Sequence, residues 1–187
     1  MSSHHIVREN QEPALLIQDF QALNSEYLGQ ILEWSPTILS DDNNADFLIS
    51  EGIKIDILFT EEERYFPQED TKIIFIQQNY LHDAINYLIA HNYKAVNILV
   101  DRIDEQLQQY ADKINIVLFC QGVRYVFVRS FFEKWKPKDN IVYISESKIK
   151  SFQGIQYVCS GVFQVEQDGF VRVEFNTEDF VLLGEEI

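Results

Sequence analysis

Glycine, proline and cysteine are scarce in this chain, at 7, 4 and 2 residues of 187. With no low-complexity tract either, this excludes a collagen-like repeat, a long flexible linker and extensive disorder. The glycines are scattered at 29, 52, 122, 154, 161, 169 and 184, so neither GxGxxG nor GxxxxGK occurs, and the glycine-built phosphate cradles of dinucleotide-binding and P-loop proteins are excluded. Cys120 and Cys159 sit in apolar strand-like runs without CxxC spacing; two buried thiols are expected in place of a disulfide or metal site. No run of about 18 apolar residues is present, and the first residues, with His4, His5, Arg8 and Glu9, do not make the apolar core of a signal peptide. A cytoplasmic protein without a membrane partner is expected. Basic residues are few as well: 15 Lys and Arg face 30 Asp and Glu, a net charge of −15. Nucleic-acid affinity rests on Lys and Arg neutralising phosphates, so a nucleic-acid partner is excluded.

Hydrophobic residues make up 46% of the chain, ample for a core. In the first part, strand-like and helix-like patterns alternate. Pro13 to Ile17, Thr37 to Leu39, Ile53 to Phe59, Lys72 to Ile76, Ala95 to Val100 and Ile114 to Phe119 read as strands. Between them lie helical patterns: Leu28, Ile31 and Leu32 after Ser25; Ala45 to Ser50, closed by Gly52; Leu81, Ala84, Ile85, Leu88 and Ile89; and a polar helix with Ile103, Leu107 and Tyr110. This rhythm predicts an α/β fold with a mostly parallel, Rossmann-like sheet. From Val123 the texture becomes short β runs (123–128, 141–144, 155–159, 162–165, 170–175, 180–183), with Asp168-Gly169 as a hairpin signal. A small antiparallel, sandwich-like domain over 135–187 is expected to follow an α/β domain over 1–134, with the polar Lys136-Pro137-Lys138 at the link.

Few residues suggest chemistry. Asp41-Asp42 follow a strand at the carboxyl edge of a parallel sheet, where such folds bind ligands; alternatively Asp42 or Asn43 caps the next helix. Thr60-Glu61-Glu62-Glu63-Arg64 follow another strand, and their carboxylates either hold Mg²⁺ against a polyphosphate or form a solvated loop. His82 and His91 lack metal-ligand spacing and read as surface or helix-end residues. Neither GxSxG nor a cysteine-nucleophile signature occurs, and Ser145 and Ser147 read as turn residues. Tyr125, Phe127, Phe131, Phe132 and Trp135 are expected to seal a core, with Trp135 beside the charged link.

Ordered segments across nearly the whole chain resemble the thiamine pyrophosphokinases, in particular their divergent bacterial branch: His4 to Glu9 (HHIVRE), Leu28 to Pro36 (LGQILEWSP), Gly52 to Leu58 (GIKIDIL), Ala84 to Ile89 (AINYLI), Lys94 to Ile98 (KAVNI) and Phe132 to Trp135 (FEKW). The resemblance implies an α/β domain followed by a β-sandwich, a homodimer, and Mg²⁺-dependent transfer of a pyrophosphoryl group from ATP to thiamine. The family's Asp-Gly falls on Asp42-Asn43, and its Gly-Asp-Phe-Asp on Thr60 to Glu63, which makes Asp42, Glu61 and Glu63 the implied metal ligands. Its Asp-rich segment falls on Phe75 to Tyr80 (FIQQNY), where no acid remains. Its Gly-Gly-Arg-x-Asp-His falls within Val100 to Tyr110, loosely echoed by Arg102 and Asp104. Its Ser-Asn-Glu falls near Val162 to Gln164. Phosphoryl transfer depends on electrostatic positioning, so these losses predict a catalytically degenerate relative. It would need no cofactor, form a homodimer through its β-rich tail, and bind a small molecule or a partner. The alternative is an active enzyme using Mg²⁺ and ATP through the three named carboxylates.

Overall fold

Three four-residue runs in which every side chain is buried found the sheet: β1 (Ala14–Ile17), β2 (Ile38–Asp41) and β3 (Ile57–Thr60). Strands buried on both faces suit a parallel sheet covered by helices. In the computed structural model, which describes residues 12–62 and 68–187, they are joined by β4 (Lys72–Phe75), β5 (Ala95–Leu99) and β6 (Asn115–Cys120). The six run parallel in the order β4-β3-β2-β1-β5-β6. Helices α1 (Ser25–Leu32) and α2 (Asp42–Ser50) pack with Leu15, Ile17, Ile38 and Leu58 on one face of the sheet; α3 (Tyr80–Ala90) packs with Leu16, Leu39 and Ile98 on the other.

Each helix begins on an Asn or Asp whose side chain accepts from the first turn: Asn24 from Tyr27 N–H, Asp41 from Asn44 N–H and Asn79 from His82 N–H. These caps answer the unpaired amides of a helix start. The polar helix expected between β5 and β6 is a 3₁₀ segment, Glu105–Tyr110, anchored by buried Leu107 and Tyr110.

The tail continues the same sheet. β7 (Val123–Val128) folds back on β6 through Gln121 and Gly122, whose φ of 51° and 77° fit a two-residue hairpin turn of the kind that favours glycine. With β9 (Ile141–Ile144), β11 (Ile155–Cys159), β12 (Val162–Val165) and β14 (Val181–Glu186), it extends the sheet as β6-β7-β14-β9-β12-β11. A second, antiparallel sheet is made of β8 (Phe131–Lys136), β10 (Ile149–Gln153) and β13 (Gly169–Phe175) in the order β10-β13-β8. It closes an apolar core of Val142, Phe163, Val171, Val173 and Leu183. The division expected between 134 and 135 falls inside β8.

Four expectations are corrected. Asp168-Gly169 closes no hairpin: β12 pairs with β11 and β9, whereas β13 pairs with β10 and β8, so this link carries the chain from one sheet to the other, with Asp168 accepting from Lys138 N–H at 2.7 Å. Cys159 is exposed on the edge strand β11, while Cys120 is buried. Phe131 and Trp135 do not seal the core; they lie on the outer face of the second sheet, 52% and 53% exposed. His82 is buried, not a surface residue. Among the described residues, no helix is long and apolar enough to cross a membrane.

Candidate functional site

The strand order turns at β1, whose neighbours β2 and β5 leave in opposite directions along the sheet, and open α/β sheets bind ligands outside the strand ends at such a point. Two adjoining hollows of about 480 and 600 Å³ lie there and share Asp41, Asn79 and Tyr80. Gln18, Arg102, Asp104 and Glu105 complete the first, and Asp42, Asn43, Glu61, Glu62 and Gln78 line the second.

Asp41 is the best-fixed acid of the cleft. One oxygen accepts from Asn44 Nδ2 at 2.8 Å and Asn44 N–H at 3.3 Å, and the other from Asn43 Nδ2 at 2.9 Å. Asn44 Nδ2 also donates to Gln18 O at 3.0 Å, tying the cap to the end of β1. The helix cap is therefore Asp41, not the Asp42 or Asn43 expected. Asp42 opens α2 and lines the cleft. Glu61 and Glu62 are exposed at its rim after β3, held by a turn in which Thr60 Oγ1 donates to Glu62 O and accepts from Glu62 N–H. Glu63 lies outside the described residues.

Phe75 to Tyr80 serves structure. Gln77 and Gln78 N–H both donate to Asp83 Oδ2, at 2.6 and 3.0 Å, and Asn79 caps α3. Tyr80 is buried and donates to Ile17 O at 3.0 Å; burial, reinforced by the charge of Asp41, pushes its phenol well above the usual value. Behind the cleft, His82 Nδ1 lies 2.9 Å from Tyr110 Oη and Nε2 lies 3.5 Å from Asp104 Oδ2. His91 instead ends α3, stacked on Tyr87. Asp83 and the buried phenol of Tyr80 carried no sequence signal; for His82 the signal was its place three residues before the core residue Ile85.

Neither a protein-family model nor a curated protein sequence matches the chain. Solved structures do. The fold is that of the thiamine pyrophosphokinases. A probable thiamine pyrophosphokinase from Staphylococcus saprophyticus is similar over 93% of this chain and 98% of its own, at 14% identity and a TM-score of 0.67. Thiamine pyrophosphokinase from Bacillus subtilis is similar over 92% and 97%, at 12% identity and a TM-score of 0.60. Yeast thiamin pyrophosphokinase covers 98% of this chain and 88% of its own, at 7% identity and a TM-score of 0.65.

A thiamine pyrophosphokinase fold raises the question of Mg²⁺ and ATP. Among the described residues, no group of three His, Cys, Asp or Glu side chains is placed to hold a metal ion. Asp41, the most buried acid of the cleft, has both oxygens engaged at the start of α2. Among the described residues, the hollows present six carboxylates (Asp41, Asp42, Glu61, Glu62, Asp104, Glu105) and one cation, Arg102. Among the described residues, then, the lining supplies no three-ligand cage for Mg²⁺, and its sign repels a bare polyphosphate.

Proposed function

We propose that this protein keeps the thiamine pyrophosphokinase fold without phosphotransfer and uses the carboxyl-edge cleft to bind a small cationic molecule. The carrying observation is the cleft's charge: among the described residues, six carboxylates against one guanidinium complement a cation and oppose a metal-free nucleotide. The acid-free Phe75 to Tyr80 segment supports the same reading, since its amides and Asn79 are taken up in starting α3.

The protein also works as a homodimer through its β-rich tail. Supporting this, Trp135 and Phe170 are register partners on the outer face of the second sheet, Phe170 being 71% exposed, with Phe131 four pairs along on the same face. Exposed aromatics grouped in this way mark interaction surfaces. Light scattering at micromolar concentration should give twice the monomer mass, and Trp135→Ser with Phe170→Ser should return it to monomer.

Calorimetry tests the cleft. Thiamine, a thiazolium cation, should bind without Mg²⁺ and more weakly as salt rises. ATP with Mg²⁺ should give no isotherm, and no thiamine diphosphate should accumulate from thiamine, ATP and Mg²⁺. A Mg²⁺-dependent ATP isotherm that disappears in Glu61→Gln would overturn the reading in favour of an active transferase.

A further inference from the structure

On the face of the main sheet that carries α1, the cover is interrupted. α1 shields β1 and β2, the second sheet shields the strands beyond β7, and between them lies a groove of about 550 Å³ whose lining includes Asn97 of β5, Phe119 of β6 and Arg124 of β7. Tyr27, Ile31 and Trp34 of α1 and its C-terminal turn form one wall. This groove lies on a face of the sheet, away from the carboxyl-edge cleft.

Register orders its contents. Arg124 pairs with Phe119, Phe119 with Leu99 and Leu99 with Ile17. Glu12, the one acidic side chain in the lining, precedes Ile17 by five residues, so at the rise of a strand it sits about 16 Å from the level of Arg124. Asn97 pairs with Leu15, between the two. Among the described residues, the side chains of Asn97, Gln30 and Tyr27 make no hydrogen bond, which leaves polar groups along an otherwise apolar channel.

The Arg124 end carries an unusual balance of charge. Its Nη1 lies 3.2 Å from Glu185 Oε2, but Glu185 is also held by Lys134 Nζ at 2.9 Å and Lys136 Nζ at 2.5 Å. Glu185 and Lys136 are buried, 3% and 6% exposed. Glu185 is the only acid that ion-pairs with these three cations among the described residues, so one carboxylate serves three positive charges in a chain whose net charge is −15. Among the described residues, only one guanidinium nitrogen of Arg124 is engaged, and Arg124 lines the groove.

We propose that this groove is a binding site for a small organic anion. The anionic group sits on Arg124, where two uncompensated positive charges favour it, and a flat apolar body runs along Tyr27, Ile31 and Trp34. A carboxylate and a phosphate monoester share this chemistry, and the guanidinium fork suits either.

The test uses Trp34 fluorescence in a Trp135→Phe background, which leaves Trp34 as the sole tryptophan, together with calorimetry. The probes are benzoate and phenyl phosphate, with benzyl alcohol as the neutral control. At least one anion should give a saturable change that benzyl alcohol does not, and which of them binds distinguishes a carboxylate ligand from a phosphate ligand. Arg124→Gln should weaken that binding about 10-fold or more, because a charge-assisted contact is lost. The variant should fold, since Glu185 retains two lysines; Arg124→Lys, which keeps the charge and loses the fork, should fall between the two. Absence of binding by either anion up to about 10 mM, equal binding by benzyl alcohol, or undiminished binding in both Arg124 variants would overturn the proposal.

Discussion

Replacing Glu185 by Gln tests the electrostatics of the second sheet most directly. The carboxylate is the sole anion among three cations at 2.5 to 3.2 Å. At an effective dielectric constant of about 20, one such contact near 3 Å has a Coulomb scale of about 5 kcal/mol, offset by desolvation and by repulsion among the cations. Lys134 and Arg124 are partly open to water and can relax outward, with side chains 50% and 36% exposed, whereas that of Lys136 is 7% exposed and keeps no counter-ion. Leaving a buried charge unpaired costs about 3–5 kcal/mol, a large share of the 5–15 kcal/mol typical of a folded domain. Urea denaturation with linear extrapolation should show that loss in Glu185→Gln. Lys136→Met should lose about 1 kcal/mol, since Glu185 then still holds two cations and the substitute is apolar. The double variant Lys136→Met with Glu185→Leu should regain most of the loss, because both partners leave together. A loss below about 1 kcal/mol in Glu185→Gln, or equal losses in the two single variants, would refute the reasoning.

Two further outcomes follow from local structure. Burial alone would raise the Glu185 carboxyl, but hydrogen bonds from Lys136 and Lys134 hold it below the ordinary glutamate value. A folded value below the unfolded one, about 4.3, means that this group's stabilisation is full above that pH and is lost as pH falls through the folded value; the stability difference between the parent and Glu185→Gln, followed by urea melts, should therefore narrow below about pH 4. Gly154 has φ +76°, and a Cβ there would lie 2.8 Å from the backbone oxygen of Phe170, whereas Gly122, at φ +77°, has open space. Gly154→Ala should cost about 2 kcal/mol more than Gly122→Ala in the same assay, since it adds a clash with backbone to the shared conformational strain.

The parallel half of the fold was legible because its signals are redundant. Runs such as Ala14 to Ile17 are buried throughout, and the helical spacing of Leu28, Ile31 and Leu32 and of Leu81, Ala84, Ile85 and Leu88 marks α1 and α3. The tail was harder. In β8 the inner face carries Phe132, Lys134 and Lys136 and the outer face Phe131, Glu133 and Trp135, so charge sits inside and aromatics outside, and no alternation shows. β10 is hidden for a similar reason, since Lys150, Ser151 and Gln153 leave it little apolar character and most of it is exposed. The Asp168-Gly169 signal was locally sound, but turn chemistry does not report whether the flanking strands pair or pass to different sheets.

The candidate site shows why its residues were harder to read than its scaffold. Two adjacent acids stand where β2 passes into α2, and sequence alone places the cap at Asp42 or Asn43. Backbone register decides it: Asp41 precedes the first helical turn and closes onto Asn43 and Asn44, leaving Asp42 to face the cleft. A shift of one residue thus changes which carboxylate caps the helix, while the strand, the cap and the helix all persist. The fold tolerates such exchanges because buried apolar runs and Asn or Asp caps can be filled by many sequences, consistent with TM-scores of 0.60 to 0.67 at 7 to 14% identity. Metal-dependent transfer has no such tolerance, since it needs particular atoms in a particular shell. Fold and chemistry are therefore separable here, and the activity of the structural relatives is a weaker guide to this protein than the sign of the charge in its own cleft.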